Sequence, residues 1–440
     1  MEPWSGEGVL LDNGYNRIQM SGVNRRQFLR HGAIAIAGVS LARFPIISVN
    51  AAPKKIIIIG AGMAGLSAGY ELTQLGHDVT ILEARARPGG RVHTLREPFD
   101  DGLYAEAGAA RIPENHNLTL KYVKLFNLPL EPMYPTTGLS ALRFDSGAMQ
   151  KVGTDGFTDA LGKNFGSELG GSPARWSKIK GGNDLLPKAF AAKLADKIRY
   201  ESPVVKIDQD QNSVRVTFMN KGKQETISGD RLLCAVPFSL LRNIELPSTF
   251  PEKKRKAISG VEYAPVSRVY LQAKKRSWEE KGLSGFAFTK EAVEVWQPTW
   301  NQPGPRGILM TYARPGEAEK IAALKQEERI SSTLTQLDQW FTGLRGNFEK
   351  GTTKVWMEDE WSRGAWAFAG VANLLLFATP EGRIHFAGEH LSFSFSWMQG
   401  ALESAARATK MIHEAAEGRA ATSSRIVPSS LNAEALHRTL

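Results

Sequence analysis

The sequence predicts an α/β fold organised around a doubly wound, dinucleotide-binding unit, and three features of residues 56–91 carry that expectation. Ile56 to Ile59 is a run of β-branched residues without polar alternation, the pattern of a parallel strand buried on both faces. Gly60, Gly62 and Gly65 follow at GxGxxG spacing, which permits a tight turn, backbone approach to a pyrophosphate and close helix packing. A second strand, Val79 to Leu82, ends in Glu83, where a carboxylate can accept both hydroxyls of an adenosine ribose. Between them, Met63 to Leu75 carries Leu66, Tyr70 and Leu72 at helical spacing, and Gly76 stands where a left-handed C-cap belongs. Two other patterns match in part and fail on context. Gly65 to Gly69 has the GxSxG form, but Ser67 lies within the helix, and Leu66 stands where a P-loop needs its lysine.

Moving along the chain, Arg87-Pro88-Gly89-Gly90-Arg91 allows close backbone approach and charge pairing to a phosphate. In Tyr104 to Pro113, small residues including Gly108, Ala109 and Ala110 suggest a flat cofactor face, with Arg111 just beyond it. That arginine is a candidate for bidentate carboxylate recognition, the competing reading being a surface salt bridge. Asp145 to Gly182 is glycine-rich and weakly patterned, and Lys180 to Leu186 opens a helix running towards Arg199. Pro203 to Ile207, Ser213 to Phe218 and a strand after the Asn220 to Lys223 turn read as a meander. Tyr263 to Ala273, Val293 to Trp300 and Gly307 to Ala313 read as a second set of strands, and Glu317 to Phe341 as one long helix. Arg383 to His390 is a strand ending in Gly388-Glu389, and Trp397 to Ile412 a helix whose N-terminus suits an anionic or electron-rich group. The tail, 418–440, reads as disordered.

A chain of 440 residues, 42% hydrophobic, is long enough for two connected domains. Its formal net charge is +10, yet no Lys/Arg block is interleaved with aromatics. The densest run, Lys253 to Lys256, follows Pro251-Glu252 like a solvated helix start. These features argue against a nucleic-acid partner and favour attraction of carboxylate-bearing small molecules into a cleft. The single cysteine, Cys234, excludes an intrachain disulfide and reads as core, and the eight histidines have no metal-ligand spacing, so no metal is expected. Arg25-Arg26 followed by Phe28-Leu29 and the small apolar residues Gly32 to Leu41 resemble a twin-arginine export signal spanning 1–51, with cleavage expected at Val49-Asn50-Ala51. Arg43 and Pro45 interrupt the apolar run well short of the ~20 residues a membrane span needs, so a periplasmic or secreted protein is expected.

The glycine loop with Glu83, Pro88 to Arg91, Gly181 to Leu186, and Phe386 to Ala401 together resemble the flavin-containing amine oxidases of the monoamine oxidase and L-amino acid oxidase type, over residues 54–417. The resemblance implies FAD bound in a doubly wound domain (52–92, 182–264 and 380–417), interleaved with a mixed-sheet α+β substrate domain (93–181 and 265–379). It makes Gly60, Ala61, Gly62, Met63, Ala64, Gly65, Glu83, Ala84 and Arg91 the adenosine and pyrophosphate site and Val204 the adenine contact. Gly388, Glu389 and Met398 become ribityl and flavin contacts, with Gly108, Ala109, Ala110, Arg111 and Trp397 also on the cofactor. Monoamine oxidases bind flavin through a cysteine in a Gly-Cys-Tyr run; the matching run here is Gly364-Ala365-Trp366, which implies noncovalent FAD.

Gly108 to Glu114, followed by His116, is similar to the stretch of L-amino acid oxidases whose arginine clamps the substrate carboxylate, and Tyr312 matches its tyrosine partner. Trp397 matches the aromatic residue facing the flavin, and Trp366 the second aromatic of the amine cage. Arg268 stands where the family has a lysine holding water at flavin N5. The resemblance therefore implies oxidative deamination of L-amino acids by molecular oxygen, giving 2-oxo acids, ammonia and hydrogen peroxide. An amine oxidase in which Arg111 is only structural stands beside this reading, as does, because of Arg268, a dehydrogenase or monooxygenase using another acceptor. A homodimer is compatible with any of them.

Overall fold

Successive isoleucines of the first strand, Lys55–Ile59, point into two different cores. Ile56 and Ile58 pack with Leu66 and Leu72 of the following helix, Met63–Gln74, and with Ala401, Leu402 and Ala405 of the last helix, Met398–Ala416. Ile57 and Ile59 pack instead with Val214, Val216 and Phe218 of a three-stranded antiparallel meander. Both faces of the strand are covered, which is why it carries no polar alternation. Four parallel neighbours complete its sheet, in the order Ile384–Phe386, Arg231–Cys234, Lys55–Ile59, Asp78–Leu82, Ile198–Arg199. This computed structural model describes residues 53–416 apart from 137, 145–148, 166–171, 290–292 and 371–372; the expected export signal and tail lie outside the described residues.

A second sheet of seven strands runs in the order Phe348–Val355, Ser267–Ala273, Gly307–Ala313, Val293–Trp296, Leu283–Thr289, Ser140–Phe144, Gln150–Val152. Its pairings are antiparallel except that of Leu283–Thr289 with Ser140–Phe144, so the sheet is mixed. Period two divides its side chains. Val269, Leu271, Val295 and Leu309 face a core closed by Leu334 and Leu337 of the helix Gln326–Trp340. Tyr270, Trp296, Met310 and Tyr312 face the opposite core, which is rich in aromatic rings.

Four local expectations need correction. The helix expected over Glu317 to Phe341 is two, Glu317–Ala322 and Gln326–Trp340. Buried Arg329 causes the break to be stable: its Nε and Nη2 donate to the carbonyls of Ile321 (3.0 Å) and Ala322 (2.7 Å), satisfying the end of the first helix. The helix opened at Leu185 stops at Lys193, and Arg199 belongs to the parallel sheet. The weakly patterned segment before Gly182 contains a helix, Thr154–Phe165, and short strands. The basic run at 253–256 is not wholly solvated, because Lys254 is fully buried, with Nζ donating to Thr379 O and to Glu381 Oε1.

Candidate active site

The end of the second parallel strand and the Gly89-Gly90 turn both pack on the glycine loop. Gly65 closes the first turn of its helix against the strand: a Cβ there would lie 1.9 Å from Gly60 O, so only glycine allows this packing. Gly89 N donates to Ala61 O (2.8 Å), and Ala109 N to Arg91 O (3.2 Å). A Cβ on Gly108 would sit 1.7 Å from Arg91 O, which explains the small residue in that stretch. Glu83 Oε2 accepts from Ala61 N (2.6 Å) and Oε1 from Arg85 N (2.9 Å); burial pushes this carboxyl up, against the pull of those two donors. Ala84 follows directly, half-buried. Val204 packs on the core that holds Ile59 and Leu82.

The loop suits a nucleotide. Gly62, the N-cap of Met63–Gln74, receives no side-chain cap, and a Cβ on it would meet nothing within 4 Å. Open backbone at an uncapped helix N-terminus is where a pyrophosphate binds. Met63, Ala64 and Met398 pack in the same core just behind it.

Glu389 joins this region to the aromatic core. Arg91 Nη1 donates to Glu389 Oε1 (2.8 Å) and to Ala365 O (2.9 Å). The same carboxylate accepts from Ala367 N (3.1 Å) and Ser396 N (3.0 Å), the neighbours of Trp366 and Trp397. One buried acid therefore fixes both tryptophan-bearing turns, while Gly388 is bound to Ser404 of the last helix (2.9 Å). Trp397 meets His116 edge-on at 4.9 Å and Trp176 at 5.7 Å, and both Trp366 and Trp397 pack against the aromatic core that includes Ala110 and Tyr312. His116 begins the helix Asn117–Leu125, whose Leu118 and Thr119 N–H groups donate to Gln399 Oε1 (3.1 Å each).

The charged part of the site is a row across three strands. Arg268 stands opposite Tyr312, and Tyr312 opposite Glu294, so strand register places all three side by side on the aromatic face. Arg268 Nη1 donates to Glu106 O (2.7 Å), with its guanidinium carbon 4.7 Å from the Tyr312 ring centre. Arg111 lies over two indole rings, 5.0 Å from Trp176 and 4.4 Å from Trp296. Its Nη2 donates to Glu294, which also accepts from Arg314 Nη2 and from Trp296 Nε1 (2.9 Å). Burial alone would raise the Glu294 carboxyl, but the two guanidiniums hold it below the usual carboxylate range.

A protein carboxylate, that of Glu294, is already paired with Arg111. Glu294, Arg314, Trp176 and Trp296 were not singled out from the sequence. A glutamate within the apolar alternation Val293-Glu294-Val295-Trp296 is a signal that could have found the first of them, since an acid in a doubly covered strand needs a partner.

Comparison with known proteins places these features in context. A profile described as "Flavin containing amine oxidoreductase" matches residues 63–162 and 141–413. YobN of Bacillus subtilis (strain 168), which carries a provisional L-amino-acid oxidase designation, is 31% identical over 82% of this chain and 95% of its own. The L-amino-acid oxidase of Bothrops atrox is 24% identical over 84% of this chain and 91% of its own. The solved structure of cyclohexylamine oxidase from Brevibacterium oxydans IH-35A superposes with a TM-score of 0.72 at 19% identity, over 83% of this chain and all of that one, a likeness of fold.

Proposed function

Because the chain belongs to the flavin containing amine oxidoreductases, we propose that it is an FAD-dependent L-amino acid oxidase holding its cofactor noncovalently, so that acid precipitation releases the flavin. The observation that carries this reading is Arg111: a buried guanidinium over two indole rings, beside Tyr312 and in the same aromatic core as Trp366 and Trp397. Flavin, when bound, supplies the two-electron acceptor for the substrate Cα–H bond.

The chain's own residues do the rest. Arg111 binds the α-carboxylate, with Tyr312 as its aromatic neighbour, and the surrounding rings exclude water, which strengthens that ion pair. Trp366 and Trp397 orient the neutral amine, held in place by their shared tie to Glu389. Arg268, anchored on Glu106 O, provides fixed positive charge on the same face. The imino acid hydrolyses to a 2-oxo acid and ammonia, and molecular oxygen as terminal acceptor gives hydrogen peroxide.

Anaerobic mixing with L-amino acids and with amines, followed by flavin absorbance, tests the assignment. L-Amino acids should bleach the wild type, and Arg111→Ala should raise the required concentration at least ~100-fold. The Glu294–Arg111 ion pair favours a second reading, an amine oxidase in which Arg111 is structural. Bleaching by amines alone, unaffected in Arg111→Ala, would establish that reading and sink the first.

The Arg25-Arg26 segment supports export by the twin-arginine route. Replacing both by lysine should leave the protein in the cytoplasmic fraction; unchanged fractionation would refute export by this signal.

A further inference from the structure

Glu294 is wholly buried in an interior strand, where its Oε2 accepts from Arg111 Nη2 and Trp296 Nε1 and its Oε1 from Arg314 Nη2. A guanidinium stays protonated in a protein, so the two arginines and one carboxylate carry a formal charge of +1. We propose that Glu294 is a resident competitor for the carboxylate clamp: it occupies Arg111 before substrate arrives and remains with Arg314 and the Trp296 indole when an α-amino carboxylate takes Arg111. The inference rests on the amino-acid reading of Arg111 and names the pair that sets selectivity at that clamp.

Charge conservation makes the exchange feasible. Pulling a buried carboxylate from its cation strands a charge in a poorly solvated interior. Here Arg314 keeps that from happening. Trp296, two residues beyond Glu294, shares its strand face, and Arg314 directly follows the strand Gly307–Ala313; both already donate to Glu294, beside the position the carboxylate would take. After exchange Arg111 and Arg314 face two carboxylates, and the positive charge of Arg268 beside Tyr312 on the same face favours the second anion. A neutral amine brings no anion, so Glu294 stays on Arg111. A weak carboxylate ligand must outcompete an internal one already in place. The clamp therefore responds to a carboxylate that also places its remaining atoms well among the aromatic rings.

The experiment is titration of the FAD-loaded, full-length protein with benzoate, read by perturbation of flavin absorbance, with benzylamine as the carboxylate-free control. Glu294→Gln should tighten benzoate about tenfold and leave benzylamine within about twofold. Arg314→Gln should shift benzoate the other way by about tenfold, because Glu294 is then left with Arg111 alone as its cation. The double variant should return to the tight value of Glu294→Gln. Unchanged or weaker benzoate binding in flavin-loaded Glu294→Gln overturns the proposal and makes Glu294 a fixed support of Arg111. If Glu294→Gln does not fold, Arg314→Gln decides: weaker benzoate binding supports the exchange, and equal or tighter binding overturns it. Benzoate binding that Arg111→Ala leaves untouched overturns the amino-acid reading itself, a different result from an intact clamp that ignores Glu294.

Discussion

Glu106 shows at the residue scale how position overrides residue type. Its side chain is buried, accepting from Asn183 N (2.7 Å) and Thr94 Oγ1 (2.9 Å), and burial pushes its carboxyl up to about 7. A raised carboxyl favours the folded state most below its unfolded value near 4.5, and that contribution is lost as pH rises through 7. Glu106→Gln, which stays neutral, should therefore gain stability relative to wild type between pH 5 and pH 8, by up to about 3 kcal/mol. Urea midpoints at the two pH values measure it, and an advantage that does not grow with pH contradicts the protonated state. From sequence, Glu106 was one more acid in a small-residue stretch. Burial and two donors, one of them 77 residues away in the chain, give it its chemistry.

At the scale of elements, local signals were readable where the partner was a near neighbour in sequence. The strand, glycine turn and helix at Lys55–Gln74 and the meander were legible because turn residues and period-two or period-3.6 patterns act within a few residues. The break at 323–325 was not, since unbroken helix-forming residues cross it and the arginine that caps it arrives from the following helix. Arg329→Ala should cost about 2 kcal/mol by leaving two carbonyls unsatisfied and removing the Glu358 pair. Chemical denaturation tests this; a variant as stable as wild type would mean water caps the helix equally well.

On the scale of the whole molecule, the two sheets are tied by charge as well as by chain. Arg85, beyond the second parallel strand, pairs with Asp359 (2.5 Å), which also binds Lys354 in the mixed sheet. Burial opposes ionisation of Asp359, yet these two cations hold its carboxyl down at about 2. A depressed carboxyl stabilises the fold above its unfolded value near 3.8 and loses that contribution as pH falls through 2. Asp359→Asn should thus cost about 2 kcal/mol at neutral pH and little at pH 2. A thermal-unfolding series across pH reads the difference, and a constant penalty would assign Asp359 to packing alone. The sequence by itself determined the dinucleotide-type unit, because a buried strand, a glycine turn and an acid at the end of the next strand follow one another within about thirty residues and each leaves a local pattern. It also supplied the reacting candidates Arg111, Tyr312, Trp366 and Trp397. Only the tertiary structure decided what Arg111 touches. Its partner Glu294 lies 183 residues away, and which face of the sheet that glutamate occupies depends on strand register, since a shift of one residue would turn it to the other core.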